Sequence, residues 1–118
     1  MSAQISIYGR LGNAPTERTS QAGNVWATAS LAVDLGDGRT EVPAQWFGVV
    51  AFGRQAEDLL RHDKGDLLAV SGRLQASAWT DDEGHQRSRL QVIADTIISA
   101  RTVRPGGKRR AEREEGAN

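Results

Sequence analysis

The chain has 118 residues, 38% of them hydrophobic and 25% charged, which is one soluble domain's worth of sequence with enough apolar text for a core. It has no cysteine and only two histidines, His62 and His85, so disulfides, thiolate metal sites and Cys nucleophiles are excluded and a multi-histidine metal site is disfavoured. Fifteen Lys and Arg balance 15 Asp and Glu, which argues against a simple polycation but leaves room for a local basic groove.

The first predicted strand runs through Ile5, Ile7 and Leu11, alternating with Ser6, Tyr8 and Arg10. Gly9 and Gly12 interrupt it, as at a bulge or tight bend. Residues 13–24 are turn-rich. The clearest strand follows: Val25, Ala27, Ala29, Leu31 and Val33 face one way, and Trp26, Thr28, Ser30, Ala32 and Asp34 the other. A turn at residues 36–39 leads to a third strand over about Gln45 to Phe52, nearly all apolar and so covered on both faces. The period then changes. Arg54 to His62 places Ala56, Leu59 and Leu60 on one helical face, and Lys64-Gly65-Asp66 stops the helix. Two more strands, Leu67 to about Trp79 and Arg89 to about Ala100, flank a hairpin loop centred on Gly84.

Three strands, one short helix and two strands make an all-β chain. In so small a domain, closure into a barrel removes the exposed edges. The order is that of a five-stranded OB-fold barrel with one short helix between strands three and four. The barrel domain is expected over residues 1–104. Residues 105–118, with no apolar side chain larger than Ala, read as a disordered charged tail. No apolar run is long enough to cross a membrane as a helix, and the N-terminus lacks the pattern of a secretory signal. A cytoplasmic, nucleoid-associated setting is the expectation.

Five stretches in order carry a resemblance. They are Gly9 to Pro15; Gly23-Asn24-Val25 leading into Ala29 to Val33; Trp46 to Glu57; Lys64-Gly65-Asp66 with Val70 to Leu74; and Trp79-Thr80-Asp81 with Gly84 and Arg87. Over about residues 4–100 the sequence resembles the bacterial single-stranded-DNA-binding proteins, OB-fold proteins that coat exposed single strands in replication, recombination and repair. The resemblance implies a non-enzymatic protein without cofactor or metal, a single-stranded DNA partner, little sequence preference, and a homo-oligomer, expected to be a tetramer.

Such binding needs flat aromatic faces for bases and cations along the backbone path. Trp46, Phe52 and Trp79 match the family's stacking positions. Trp46 and Phe52 are six apart on one strand and share a face. Trp79 ends a strand face otherwise made of Arg73, Gln75 and Ser77, which is not core patterning. Trp26, on the polar side of the best-patterned strand, is expected to meet either a base or another subunit, with DNA favoured. Tyr8 is assigned to a subunit contact, because the family pairs its first strands across a dimer interface. Phe47, of opposite parity to Trp46, reads as core or subunit interface. For phosphates, Arg54, Lys64, Arg18 and Arg87 match family positions, and Arg10 and Arg73 have outward parity. Arg89 continues outward from the last hairpin and is the weakest of these candidates. The basic residues are 13 Arg and 2 Lys, a bias toward side chains that grip phosphate and stack on bases.

The Asp81-to-His85 stretch lacks the ligand spacing of a calcium loop and reads as a hairpin tip. Three departures from the family pattern stand out. The acidic, hydrophobic tip that recruits repair proteins is not found at residues 114–118. The loop from Leu35 to Val42 is short and has no aromatic. Gln75, Ser77 and Ala78 stand where relatives often carry cations. The last two imply weaker or shorter-footprint binding. Two alternatives remain: a primosome accessory OB protein acting as a dimer, and an OB protein-interaction module with Trp26, Trp46 and Trp79 buried against a partner.

Overall fold

The alternation between Val25 and Val33 becomes a strand with Ala27, Ala29, Leu31 and Val33 buried, because period-two side chains point to opposite faces of a pleated sheet. In the computed structural model, which describes residues 2–102, the elements are β1 (Ala3–Leu11), β2 (Thr16–Thr19), β3 (Val25–Val33), β4 (Gln45–Phe52), α1 (Gly53–Leu60), β5 (Leu67–Thr80) and β6 (Gln86–Ile98). The expected tail at 105–118 and the proposed domain limit at 104 lie outside the described residues. Among the described residues, no helix is long and apolar enough to cross a membrane.

The sheet order is β1-β5-β6-β4-β3-β2, with an additional β1–β3 pairing. That pairing matches Arg10 with Ala32 and Leu11 with Leu31. It closes a ring through β1, β5, β6, β4 and β3, the OB-fold barrel. The five-stranded barrel expected from the sequence has one addition: among the described residues a further short strand, Thr16–Thr19, pairs with the β3 edge from Val25 to Thr28. Contact between β1 and β3 is confined to the far end of β3, so the near end has unpaired backbone groups for β2 to satisfy. All four β2 side chains are exposed, so no alternation could betray the strand.

Leu11, Leu31, Val49, Leu68, Val70 and Val92 fill the barrel, and α1 adds Ala56 and Leu59. The expected double coverage of β4 holds only for its middle: Phe47 to Ala51 are all buried, whereas Trp46 and Phe52 at the ends are about half exposed. A β-bulge at Asp95 shifts the β5–β6 register between Ser71 and Gly72. The Gln55 amide of α1 donates to the Asp95 carbonyl at 2.7 Å, so the bulge and the helix fix each other. His62, 3% exposed, finishes the helix. Its Nδ1–H donates to the Asp58 carbonyl at 2.9 Å, and its Nε2 accepts from the Ser99 hydroxyl at 2.5 Å. A buried imidazole with both nitrogens satisfied is structural here.

Strand closure depends on Gly9. A Cβ at that position would overlap the Ala32 carbonyl oxygen and lie 3.0 Å from its carbon, and backbone cannot yield as a side-chain tip can. Gly9→Ala is expected to cost about 2–3 kcal/mol, read as a lowered urea midpoint followed by tryptophan fluorescence.

Candidate nucleic-acid interface

Residues paired across a sheet share a face, so the registers lay out the barrel's outer surface. One row runs Arg18 on β2, Trp26 on β3 and Phe52 on β4. The next runs Thr28, Val50, Ile93 and Arg73 across β3, β4, β6 and β5. A third runs Ser30, Gly48, Gln91 and Gln75. Beyond it lie Ala32 opposite Trp46, Ser77 opposite Arg89, and Trp79 opposite Arg87. This single continuous surface therefore gathers Arg18, Trp26, Trp46, Phe52, Arg73, Trp79 and Arg87.

Three aromatics on it are open to solvent: Trp46 at 52%, Phe52 at 51% and Trp79 at 46%. Each departs from core patterning, because half an exposed ring leaves apolar area in water that a ligand could cover. Trp46 lies over the backbone of Gly12, where a Cβ would come to 2.5 Å from the indole Cη2. Phe52 stacks on Trp26, with centroids 5.9 Å apart and an interplanar angle of 23°. On the β2 side of Trp26 the Arg18 guanidinium sits 5.7 Å from the ring centroid, while Arg18 Nε donates to Thr28 Oγ1 at 3.4 Å. Trp26 is half-buried between its own cross-strand neighbours. Arg18 and Phe52 cover part of the indole, and in the free chain Trp26 buttresses Phe52. Beside Phe52, Asn24, Val25, Gly53 and Glu57 complete a cleft of about 420 Å³.

Of the two readings of Phe47, core and subunit interface, the core holds and the interface fails, because the ring is only 5% exposed and belongs to the barrel core, leaving no surface for a partner. Tyr8, 61% exposed, lies on a different part of the outer surface. It pairs with Ala69, which pairs in turn with Ile98, itself 55% exposed. These three form an uncovered apolar row across β1, β5 and β6.

The cations differ in their engagement. Arg10 Nη1 donates to the Gly65 carbonyl at 2.7 Å, which brings it to the turn that carries exposed Lys64 at the β1–β3 seam. Arg54 is exposed in the first turn of α1, two residues after Phe52. Arg87 Nε donates to Asp81 Oδ2 at 2.8 Å. The other Asp81 oxygen accepts from the Glu83 and His85 backbone amides at 3.0 and 2.8 Å. Although ligand atoms of Asp81, Glu83 and His85 lie within 4.8 Å of one another, these bonds account for the cluster as a hairpin tip. The outward parity of Arg89 was visible in the sequence, but its reach across to Gly48 on β4 was not, because that depends on the neighbouring strand.

Comparisons with known proteins bear on the family and the fold. The model of the "Single-strand binding protein family" matches residues 2–100. The chain is 35% identical over 94 residues to single-stranded DNA-binding protein 1 of Staphylococcus aureus (strain Mu50 / ATCC 700699), covering 77% of this chain and 60% of that protein. It is 33% identical over 99 residues to single-stranded DNA-binding protein 1 of Xylella fastidiosa (strain 9a5c), covering 77% and 71%. The match thus spans less than two thirds of the Staphylococcus relative's length. Among solved structures, the small single-stranded DNA-binding protein from Streptomyces coelicolor superposes with a TM-score of 0.70 at 22% identity, covering 83% of this chain and 94% of that one. A mitochondrial single-stranded DNA-binding protein from S. cerevisiae gives 0.64 at 24% identity, covering 85% and 96%. At these identities the structures speak for the fold.

The Asp81 carboxyl is held below the usual carboxylate range, first by the Arg87 hydrogen bond and next by the His85 backbone amide; burial opposes them, and the Glu83 and Gly84 amides add to the lowering. A depressed folded value means that the clip is complete above the unfolded Asp value of about 3.9 and is lost as pH falls through the lower folded value. A carboxyl-carbon NMR titration should place the Asp81 midpoint below that of an ordinary Asp, and Arg87→Ala should move it upward.

Proposed function

The chain belongs to the single-strand binding protein family, and from that premise we propose that it binds single-stranded DNA with little sequence preference, as a binding protein and not an enzyme. The observation that carries the reading is the outer surface of β3, β4, β6 and β5, where three half-exposed aromatic rings and several arginines share one face. Bases stack on Trp46, Phe52 and Trp79. Each stacked base is worth about 1–3 kcal/mol and any base has the face required. Trp26 acts through Phe52, whose ring it supports. Arg10, Arg18, Arg54, Lys64, Arg73 and Arg87 neutralise phosphates, and Asp81 must share Arg87 with the strand. Coating by this face protects exposed strands in replication, recombination or repair. The binding unit is residues 1–104, the 105–118 segment is accessory, and the setting is cytoplasmic.

Titration with oligo-dT should quench tryptophan fluorescence, and affinity should fall steeply as salt rises, because phosphate contacts release counterions. Phe52→Ala and Trp79→Ala should each weaken binding by about tenfold. No quenching and no binding at low salt would sink the reading in favour of a protein-interaction module.

We further propose that copies of the chain associate through the Tyr8–Ala69–Ile98 row, and that the full assembly is a tetramer. Exposed apolar area in register on adjacent strands supports this surface as the contact. Sedimentation should give a mass of four chains, and Tyr8→Arg should reduce it. A dimer mass in the unaltered protein would favour the primosome accessory reading.

A further inference from the structure

Gly48 stands in the middle of the outer surface, between Trp46 and Val50 on β4, and yet it is buried. Its cover comes from another strand. A Cβ on Gly48 would collide with Nη2 of Arg89 and would lie 3.0 Å from both Cζ and Nε of the same guanidinium. With three guanidinium atoms that close, the group lies across the glycine and does not point at it. Arg89 belongs to β6, two residues before Gln91, which pairs with Gly48. Its side chain therefore runs along the sheet and delivers its charge onto β4. Among the described residues it makes none of the ion pairs that hold Arg61, Arg87 and Arg101.

From this seat we propose that Arg89 is the central phosphate-contacting cation of the interface, and that Gly48 is the residue that positions it. The inference deepens the single-stranded DNA reading and rests on it. A phosphodiester crossing between bases stacked on Trp46 and Phe52 passes over β4 near its midpoint, where Gly48 lies. A side chain on Gly48 would occupy the place the guanidinium needs. The planar fork suits this role, since one plane rests on the backbone while the N–H edges remain available to phosphate oxygens. The aromatic anchors thereby gain a cation between them without a basic residue on their own strand.

The test is a set of oligo-dT titrations at three salt concentrations on the unaltered protein, Arg89→Ala, Gly48→Ala and the double variant. Arg89→Ala should weaken binding by about tenfold and lower the slope of log affinity against log salt by about one. Gly48→Ala should also weaken binding, by about threefold or more, although it removes no polar group. The double variant should match Arg89→Ala within about twofold, because residues that act through one contact are not additive. The proposal is overturned if Arg89→Ala keeps the original affinity and slope, or if the two losses multiply. If Gly48→Ala melts early, the salt slope of Arg89→Ala decides alone, since truncating an exposed Arg leaves the barrel intact. Absence of binding by the unaltered protein overturns the single-stranded DNA reading along with this one, whereas binding that ignores Arg89 overturns only the central cation.

Discussion

β1 hydrogen-bonds along both of its edges, to β5 from Ala3 to Arg10 and to β3 at Arg10 and Leu11. Everything else in the architecture depends on this double pairing. It turns a curved sheet into a ring, so that one set of side chains becomes an enclosed core and the other becomes a continuous outer surface. The closure needs close backbone approach at Gly9, and it is reinforced where Leu11 exchanges backbone bonds with Gly65 and Asp66. The same seam gathers Arg10 and Lys64. Closure also divides the outer surface: the aromatic rows lie on β3, β4, the first part of β6 and the far half of β5, and the Tyr8 row lies on β1, the near half of β5 and the end of β6.

The aromatic surface is prepared in the free chain. Phe52 rests on Trp26, Arg18 rests on the same indole, and Trp46 rests on Gly12. Rings held in this way have little rotamer freedom left to lose when a ligand arrives, which favours binding by lowering its entropic cost. The hairpin beyond Trp79 is held in the same spirit by Asp81, whose carboxylate serves two backbone amides and Arg87 at once. A carboxylate in that place also competes for the guanidinium, so Arg87 is a more restrained cation than its position on the sheet suggests.

Much of this was legible in the sequence. The β3 alternation, the switch to helical period at Arg54 and the apolar run through β4 each give a strong local signal, and the elements formed there. Parity placed Trp46 with Phe52 on one face of their strand and Trp79 with Arg73 on one face of theirs, and the family resemblance joined the aromatics into one site. What the sequence hid was lateral. Thr16–Thr19 has four exposed side chains, so only the vacant edge of β3 reveals it as a strand. Trp26 looked like a residue in search of a partner because its neighbours Arg18 and Phe52 are eight and 26 positions away. Phe47 left two readings open because core and interface have the same parity. The reach of Arg89 onto β4 was hidden because nothing in its own strand says that a glycine stands opposite Gln91, two residues further on.

The double pairing of β1 also has a consequence in time. Ala3 pairs with Leu74, so the first strand of the chain cannot be completed until most of the domain has been synthesised. The β3–β4 and β5–β6 pairings join neighbours in sequence and close over short loops, whereas the ring closes over long ones. Pairings of high sequence separation carry their loop-closure entropy before any contact rewards it, and they place a domain among the slower folders. Until β1 docks, the edges of β3 and β5 stay open, and the chain is most vulnerable to pairing with a neighbour during that interval.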